Sequence, residues 1–293
     1  MTHSLHAEVS APPAADGFTE LDDAAVAAYR RDGVLCLRGV VRGAELDALR
    51  SATERLTAEA VEHGRRLDAE APIQLSSDSG FDEWEPDETN LLYARDPEGR
   101  RVWRRAEAMW ARDLAFRTVT ANPRLLAAVE RLGGPDLVPA QDSMVVKMPG
   151  AGAAIPWHRD PSGRELIERD GDASSQFVCD VYVDASGPEN GCVWAIPGSH
   201  RNLDEVQGDR WQFEQPDAVP LLAEPGDLLI HSIGVLHCSP TNPSSAFRRV
   251  FYPLFLSAET LRTGIFQRDD AWIEAQRRFF AAIREERRAL GWE

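Results

Sequence analysis

Trp157-His158-Arg159-Asp160 is the stretch that decides the fold of this 293-residue chain, together with His237 much further along. Side chains at positions i and i+2 of a strand project from the same face, so His158 and Asp160 can bind one ion together. His237 would supply a third ligand from a distant strand. Two imidazoles and one carboxylate form the facial triad of non-haem Fe(II) sites, which leaves coordination positions open for other molecules.

The charge of the chain limits its partners. Its 48 Asp and Glu residues exceed its 32 Lys and Arg residues, giving a formal net charge of -16. Such an acidic balance argues against non-specific binding to nucleic acid or to an anionic membrane. No apolar run approaches the roughly 20 residues that span a bilayer. We therefore expect no nucleic-acid or membrane partner; the oligomeric state stays open.

The cysteines and the N-terminus predict a cytoplasmic protein. Cys36, Cys179, Cys192 and Cys238 show no C-x-x-C spacing and are interpreted as reduced core residues. The N-terminus lacks the basic and apolar segments of a signal peptide. Residues 1–17 are rich in Ala and Pro and predict a disordered tail. With 43% hydrophobic residues, the remaining residues 18–293 are predicted to form a single domain.

The first half of the chain predicts helices. Apolar periodicity favours helices over residues 44–67, 100–116 and 123–132, and another at about 270–290. The second of these carries Arg100, Arg101, Arg104 and Arg105, which we interpret as an exposed basic face or, alternatively, an anion subsite. Residues 68–100 break the periodicity and are acidic around Phe81 and Trp84. They are either a lid or a solvated loop.

After Gly134 the pattern changes to short apolar segments separated by Gly and Pro. This pattern indicates the strands of a β-sandwich or barrel. The fold class is thus α+β with a mainly β core, at about residues 140–256, flanked by helices. The candidate strands are Ser143–Met148, Ile155–Asp160, Gln176–Val183, Cys192–Ile196, Asp227–His231 and Arg248–Phe255.

Several motifs, in this order, resemble the phytanoyl-CoA dioxygenase-like family of Fe(II)/2-oxoglutarate-dependent oxygenases. They are YRRDG at 29–33, WHRD at 157–160, ENGCVWAIPGSH at 189–200, PGD at 225–227 and HCSPTN at 237–242, followed by Arg248. The resemblance implies a double-stranded β-helix, a jelly-roll, cupin-like barrel. It also implies Fe(II) bound by His158, Asp160 and His237, with 2-oxoglutarate and O2 as cosubstrates.

The resemblance also suggests how 2-oxoglutarate is held. Arg248 lies eleven residues after His237, the spacing at which this family places the arginine for the distal carboxylate. A guanidinium suits a carboxylate because its planar fork forms two hydrogen bonds. Arg249 should point the opposite way. Ser239 matches a family position that donates to the same carboxylate, and Gln141 matches a polar contact to the cosubstrate.

Two other histidines compete with the triad. His231 is the rival of His237, but its spacing to Arg248 does not match the family. His200 closes the PGSH motif and is interpreted as stabilising a turn. Asp160 favours hydroxylation over halogenation, because halogenating relatives replace this carboxylate with a small residue.

The substrate is predicted only as a small molecule. Candidate wall residues are Trp157, Trp194 and Tyr182, with Phe81 and Trp84 from the acidic segment, although packing in the core is the alternative role for such aromatics. An acidic lid would suit an amine.

The resulting hypothesis is an Fe(II)/2-oxoglutarate-dependent dioxygenase that hydroxylates a metabolite and releases succinate and CO2. Desaturation, epimerisation and cyclisation remain open. A second hypothesis is a non-catalytic metal-binding β-barrel with a structural or sensory role. Arg248 and Ser239 argue against that, because a structural site needs no buried carboxylate receptor.

Overall fold

The structure is a computed structural model that describes residues 21–70, 89–95, 101–150, 153–264 and 267–292. The predicted tail (1–17) and the aromatics Phe81 and Trp84 lie outside these ranges. The same holds for most of the predicted irregular segment at 68–100, so the lid hypothesis stays a prediction. Within the described residues, no helix is both long enough and apolar enough to cross a bilayer.

Helices lie at both ends of the described chain and between its early strands. Three predicted helices, at 44–67, 123–132 and 270–290, correspond to observed ones. Side-chain caps explain where some begin: Asn122 accepts from the amides of Arg124 and Leu125, directly before Pro123. The helices are α1 (Asp23–Asp32), α2 (Gly43–Glu70), α3 (Met109–Arg112), α4 (Leu114–Thr120), α5 (Pro123–Gly133), α6 (Gly163–Asp170), α7 (Ala258–Thr263) and α8 (Asp270–Ala289).

All six strands predicted after Gly134 are present, with additional short ones. The strands are β1 (Val34–Leu37), β2 (Leu91–Arg95), β3 (Arg101–Glu107), β4 (Leu137–Lys147), β5 (Ile155–His158), β6 (Phe177–Tyr182), β7 (Val193–Ala195), β8 (Val219–Leu221), β9 (Leu228–Ser232), β10 (His237–Ser239) and β11 (Arg248–Ser257).

The strands form two antiparallel sheets. The larger has the order β1-β9-β6-β11-β4-β3-β2, and the smaller has the order β5-β10-β7-β8. The α+β jelly-roll class predicted from the sequence is confirmed. One feature differs from the prediction: the two sheets are not joined edge to edge into a closed barrel, so the site lies between two open sheets.

Alternation along the strands of the large sheet separates two apolar layers. Cys179 and Val181 of β6 pack with Phe251 of β11 in a core that also contains Leu49 of α2 and Phe116 of α4. Residues of the other face, Tyr182 and Val250, pack instead with Val193 and Leu221 of the small sheet. The large sheet is therefore covered by helices on one side and by the small sheet on the other. All four cysteines are buried and free, as predicted.

The predicted helix at 100–116 is wrong. The structure has strand β3 there, followed by the short helices α3 and α4. Val102 and Trp103 are buried, and the strand pairs with both β2 and β4. The spacing of the arginines resembles one face of a helix, because a run this short fits both the helical period and the strand period. The correction moves Arg104 and Arg105 from an exposed helix onto the sheet that lines the central cavity.

Candidate active site

The pairing of β5 with β10 brings the predicted metal ligands together. His237 lies directly opposite His158 in the antiparallel register, and their ring centroids are 4.2 Å apart. Asp160 follows β5, and its Oδ1 lies 4.0 Å from the Nε2 atoms of both histidines. One potential ligand atom from each of the three residues lies within 4.8 Å of the others. This convergence is the geometry that a facial triad requires.

Backbone carbonyls orient both imidazoles. Nδ1 of His158 lies 2.8 Å from the carbonyl of Pro156, and Nδ1 of His237 lies 3.0 Å from the carbonyl of Val235. Because a carbonyl only accepts, each Nδ1 carries the hydrogen and each Nε2 keeps its lone pair for a ligand. Burial and the neighbouring His158 lower the pKa of His237 to about 3, so this imidazole is neutral at physiological pH.

His231 is a neighbour of the triad rather than a substitute for His237. Its Nε2 lies 3.3 Å from Oδ2 of Asp160, and its Nδ1 lies 3.0 Å from Oδ2 of the buried Asp180. Burial alone would lower its pKa, but the two carboxylates raise it to about 10. A protonated imidazole between two carboxylates cannot bind a metal, and instead fixes the orientation of Asp160. Against the effect of burial, the histidines around Asp160 hold the pKa of its carboxyl well below the usual range.

Arg248 lies at the start of β11 and is 1% exposed. Its Nη2 donates to Ser239 Oγ at 3.3 Å, whereas its buried Nε and Nη1 have no hydrogen-bond partner among the described residues. A buried guanidinium with unsatisfied donors is costly unless an anion completes it. These donors therefore fit a carboxylate held inside the cavity.

The neighbouring cations are engaged elsewhere. Arg249 points to the opposite face, as predicted, where it makes ion pairs of 2.7 Å with both Asp184 and Glu54. The amine of the buried Lys147 is occupied by the carbonyls of Ala153, Ser239 and Pro240, and burial lowers its pKa. Of these three neighbouring basic residues, Arg248 is thus the one whose donors remain for a ligand.

The two predicted polar contacts to the cosubstrate have other partners here. Ser239 donates its hydroxyl proton to the carbonyl of Gly191 at 2.9 Å, so it accepts from Arg248. Gln141 lines the cavity and donates to Glu107 at 3.3 Å. Direct contact of either residue with 2-oxoglutarate stays a prediction.

A cavity of about 500 Å³ opens between the sheets. The triad, His231, Ser239 and Arg248 all line it. Its other wall residues include Arg104 and Arg105 of β3 and a larger apolar set, most of which comes from β4, β5, β6, β7 and β11. This set includes Val145, Ile155, Val178, Val193, Tyr252, Leu254 and Leu256. A mostly apolar cleft with a few converging polar groups is the usual form of a small-molecule site.

The aromatic wall residues predicted from the sequence do not line this cavity. Trp157 and Trp194 neighbour residues that do, namely His158 and Val193, and alternation points them to the opposite face. Both pack in a separate apolar cluster, where the Trp157 indole donates to Gln212. Tyr182 is fully buried between the sheets.

Arg105, one of the arginines that the sequence offered as an alternative anion subsite, lines the cavity, and so do two residues that sequence reasoning missed, Ser143 and Tyr252. Alternation along β4 and β11, counted from Gln141 and Arg248, was a signal that could have found the last two.

His200 lies away from the triad, as predicted: its Nε2 is 3.3 Å from the carbonyl of Arg30, and its ring packs against Gly33.

The model of the family described as phytanoyl-CoA dioxygenase matches residues 29–250. The chain belongs to this family. Membership in this family confirms the resemblance seen in the sequence and the enzyme class predicted from it, an oxidoreductase. As a family member, the chain is expected to use iron and 2-oxoglutarate.

Curated relatives are about one quarter identical to this family member over the aligned residues. A methylphosphonate hydroxylase of Gimesia maris is 27% identical over 207 residues, covering 68% of this chain and 75% of that protein. A phytanoyl-CoA dioxygenase domain-containing protein 1 of Danio rerio is 24% identical, covering 79% and 88%. Against the dioxygenase lolE1 of Epichloe uncinata, 27% identical, the match spans only about half of the relative, 53% of its length.

Solved structures support the fold of this family member. EctD from S. alaskensis, determined with 2-oxoglutarate and 5-hydroxyectoine, superposes with a TM-score of 0.58 at 19% identity, covering 81% of this chain and 77% of EctD. The α-ketoglutarate-dependent carbocyclase SnoK from nogalamycin biosynthesis gives a TM-score of 0.56 at 20% identity, with coverages of 85% and 88%. At these identities the likeness shows the fold alone.

Proposed function

We propose that this enzyme hydroxylates a C–H bond of a small molecule while converting 2-oxoglutarate to succinate and CO2. The observation that carries the proposal is the pair of unsatisfied donors on buried Arg248, in the same cavity as three converging ligand atoms. A purely structural metal site would have no need for such a carboxylate receptor. Hydroxylation is chosen among the possible outcomes because the relative from Gimesia maris is named a hydroxylase.

Each residue has a distinct role in this proposal. His158, Asp160 and His237 would hold Fe(II), and the adjoining cavity would receive the other ligands. Arg248 binds the distal carboxylate of 2-oxoglutarate, with Ser239 fixing the guanidinium. The apolar wall excludes water around the substrate.

When bound, the iron supplies the redox chemistry that couples loss of CO2 to oxidation of the substrate. One oxygen atom of O2 enters succinate and the other enters the alcohol, so no further reductant is needed. Asp160 would supply a carboxylate ligand where halogenating relatives have a small residue, which favours hydroxylation over halogenation.

The direct test is anaerobic addition of Fe(II) and 2-oxoglutarate to the metal-free protein. We expect a weak visible charge-transfer band that is absent with either component alone and lost in His158→Ala and His237→Ala. Succinate release across a metabolite panel then identifies the substrate. Product mass separates the reactions: gain of an oxygen atom for hydroxylation, loss of two hydrogens for desaturation or cyclisation, and no change for epimerisation. Metal binding without the band and without succinate would favour a structural or sensory role instead.

A further inference from the structure

The turn that precedes His237 contacts two of the three candidate metal ligands. It comprises residues 233–236, which join β9 to β10. The amide of Asp160 donates to the carbonyl of Ile233 at 3.0 Å, and the carbonyl of Val235 accepts from Nδ1 of His237, also at 3.0 Å. The path of this turn therefore sets where the imidazole of His237 and the main chain at Asp160 lie relative to each other.

The guanidinium of Arg159 fixes the middle of this turn. Arg159 lies between His158 and Asp160 in the chain, but it is not among the described residues that line the cavity. Its Nη1 donates to the carbonyls of Ser199 (2.8 Å) and Gly234, and its Nη2 to those of Asn202 (3.3 Å) and Asp204 (2.7 Å). All four acceptors belong to the main chain, so this one side chain ties its own segment to two others.

Ser199 of the PGSH motif holds the end of the same turn. Its side chain is buried, and its Oγ donates to the carbonyl of Ile196 at 2.6 Å and accepts from the amide of Leu236 at 2.8 Å. The amide of Ile196 donates in turn to the carbonyl of Leu236 at 2.9 Å. Ser199 thus binds Arg159 through its carbonyl and the residue before His237 through its hydroxyl.

The turn is also packed against Ala173. A Cβ atom added at Gly234 would lie 2.5 Å from the Cβ of Ala173, so a larger residue does not fit there. The amide of Val235 donates to the carbonyl of Ser232 at 3.0 Å, which closes the turn. Densely packed segments transmit displacements. A shift of the Gly234 carbonyl would therefore move the next peptide, whose carbonyl orients His237.

We propose that Arg159 and Ser199 are positioning residues of the iron site, which hold the 233–236 turn so that Nε2 of His237 faces the metal. This inference rests on the proposed function. It assigns a role to the PGSH motif and to the arginine of the WHRD motif. Neither side chain belongs to the group of three candidate ligands, so their effect passes through the backbone to His237.

The test is a titration of the full chain, free of metal, with Co(II), whose visible bands report the geometry of its ligands. We expect Arg159→Ala and Ser199→Ala each to weaken Co(II) binding by roughly 10-fold and to change these bands, because His237 loses its fixed orientation. Adding methylguanidinium to Arg159→Ala should restore part of the affinity, since this cation can bind the same carbonyls. Arg159→Lys should have an intermediate affinity, because an ammonium has only three donors for the four carbonyls.

A matched control separates positioning from general stability. Arg112 of α3 also donates to two main-chain carbonyls, those of Thr89 and Glu107. Arg112→Ala should lower the urea midpoint of unfolding and leave the Co(II) affinity and bands unchanged.

Unchanged Co(II) affinity and bands in Arg159→Ala and Ser199→Ala would overturn the proposal, whether or not their urea midpoints fall, since their role would then be structural at most. If Arg159→Ala does not fold, the same result in Ser199→Ala and Arg159→Lys overturns it.

Fe(II) and 2-oxoglutarate distinguish the two levels of inference. Co(II) binding that depends on Arg159 and Ser199, in a protein that shows no charge-transfer band, would retain the positioning role and remove the oxygenase. A normal band that is the same in both variants would retain the oxygenase and remove the positioning role.

Discussion

His231 is not one of the three candidate metal ligands, but its imidazole contacts Asp160, which is. It lies between Asp160 and Asp180, at 3.3 and 3.0 Å. Groups that orient a metal ligand in this way often matter for affinity almost as much as the ligand itself. The sequence presented His231 only as a competitor of His237, because contacts between distant strands leave no local pattern.

We expect His231→Gln and Asp180→Asn each to weaken Fe(II) binding by roughly 10- to 100-fold, because Asp160 loses its fixed orientation. An anaerobic Fe(II) titration measures this affinity. His63→Gln, a change on helix α2, is the control. If both variants bind Fe(II) as tightly as the unaltered protein, then His231 and Asp180 are not needed to orient Asp160, and the backbone contacts of His158 and His237 are sufficient.

Arg248 and its neighbour Arg249 form a matched pair on opposite faces of β11. We expect Arg248→Met to weaken 2-oxoglutarate binding by roughly 10- to 100-fold with Fe(II) binding unchanged. Arg249→Met should leave 2-oxoglutarate binding unchanged and lower the free energy of unfolding by about 1–3 kcal/mol, because Asp184 loses its ion pair. Cosubstrate titrations and urea denaturation measure the two quantities. If Arg249→Met weakened 2-oxoglutarate binding and Arg248→Met did not, Arg249 would be the residue that binds the cosubstrate.

Strand β4 carries different chemistry on its two faces. Gln141, Ser143 and Val145 line the cavity, whereas Asp142 points toward the helices and accepts from the amide of Trp110 in α3. Burial raises the pKa of Asp142 to about 7, despite the amides that favour its ionised form. This carboxyl is therefore protonated in the folded protein below neutral pH.

A carboxyl whose folded pKa lies above its unfolded value stabilises the protein most at low pH. The contribution is complete below the unfolded pKa, about 3.9, and is lost as pH rises through 7. We expect the free energy of unfolding to contain a component that falls across this window, and Asp142→Asn to remove it. Urea denaturation at several pH values tests this. An unchanged pH slope in the variant would assign the component to another group.

The elements that the sequence predicted well are those with a long, regular pattern. Helices α2, α5 and α8 and the six apolar strands after Gly134 have enough periodic residues to identify them. Strand β3 was misread because a bulge in its pairing with β2 disrupts alternation and because Arg101, Arg104 and Arg105 have the sequence spacing of a helical face. The three candidate ligands, which the structure brings together, were identified because His158 and Asp160 are two residues apart in the sequence and because the motif at His237 resembles that of the family. Arg105 was noted in an alternative anion subsite, but on a predicted helix, so its place on a strand of the cavity wall was not predicted.

The whole molecule is strongly acidic, with a net charge of -16, although the described residues of its cavity wall include three arginines and one aspartate. Long-range repulsion should therefore slow the approach of dianionic 2-oxoglutarate, while short-range contacts retain it. We expect the association rate of 2-oxoglutarate to rise as salt increases from about 10 to about 150 mM, because the Debye length shortens to about 8 Å. Anaerobic stopped-flow mixing measures the rate, with neutral sucrose at matched osmolality as the control. A rate that falls with salt would show that the local cations dominate the approach.

The pairing of His237 with His158 places both histidines on the smaller sheet, while Asp160 is tied through His231 and Asp180 to the larger one. An ion bound by these side chains would link the smaller sheet to the larger one. Iron supply would then govern the lifetime of the folded chain as well as its turnover. In cells short of iron, we expect the smaller sheet to separate first and expose the chain to degradation.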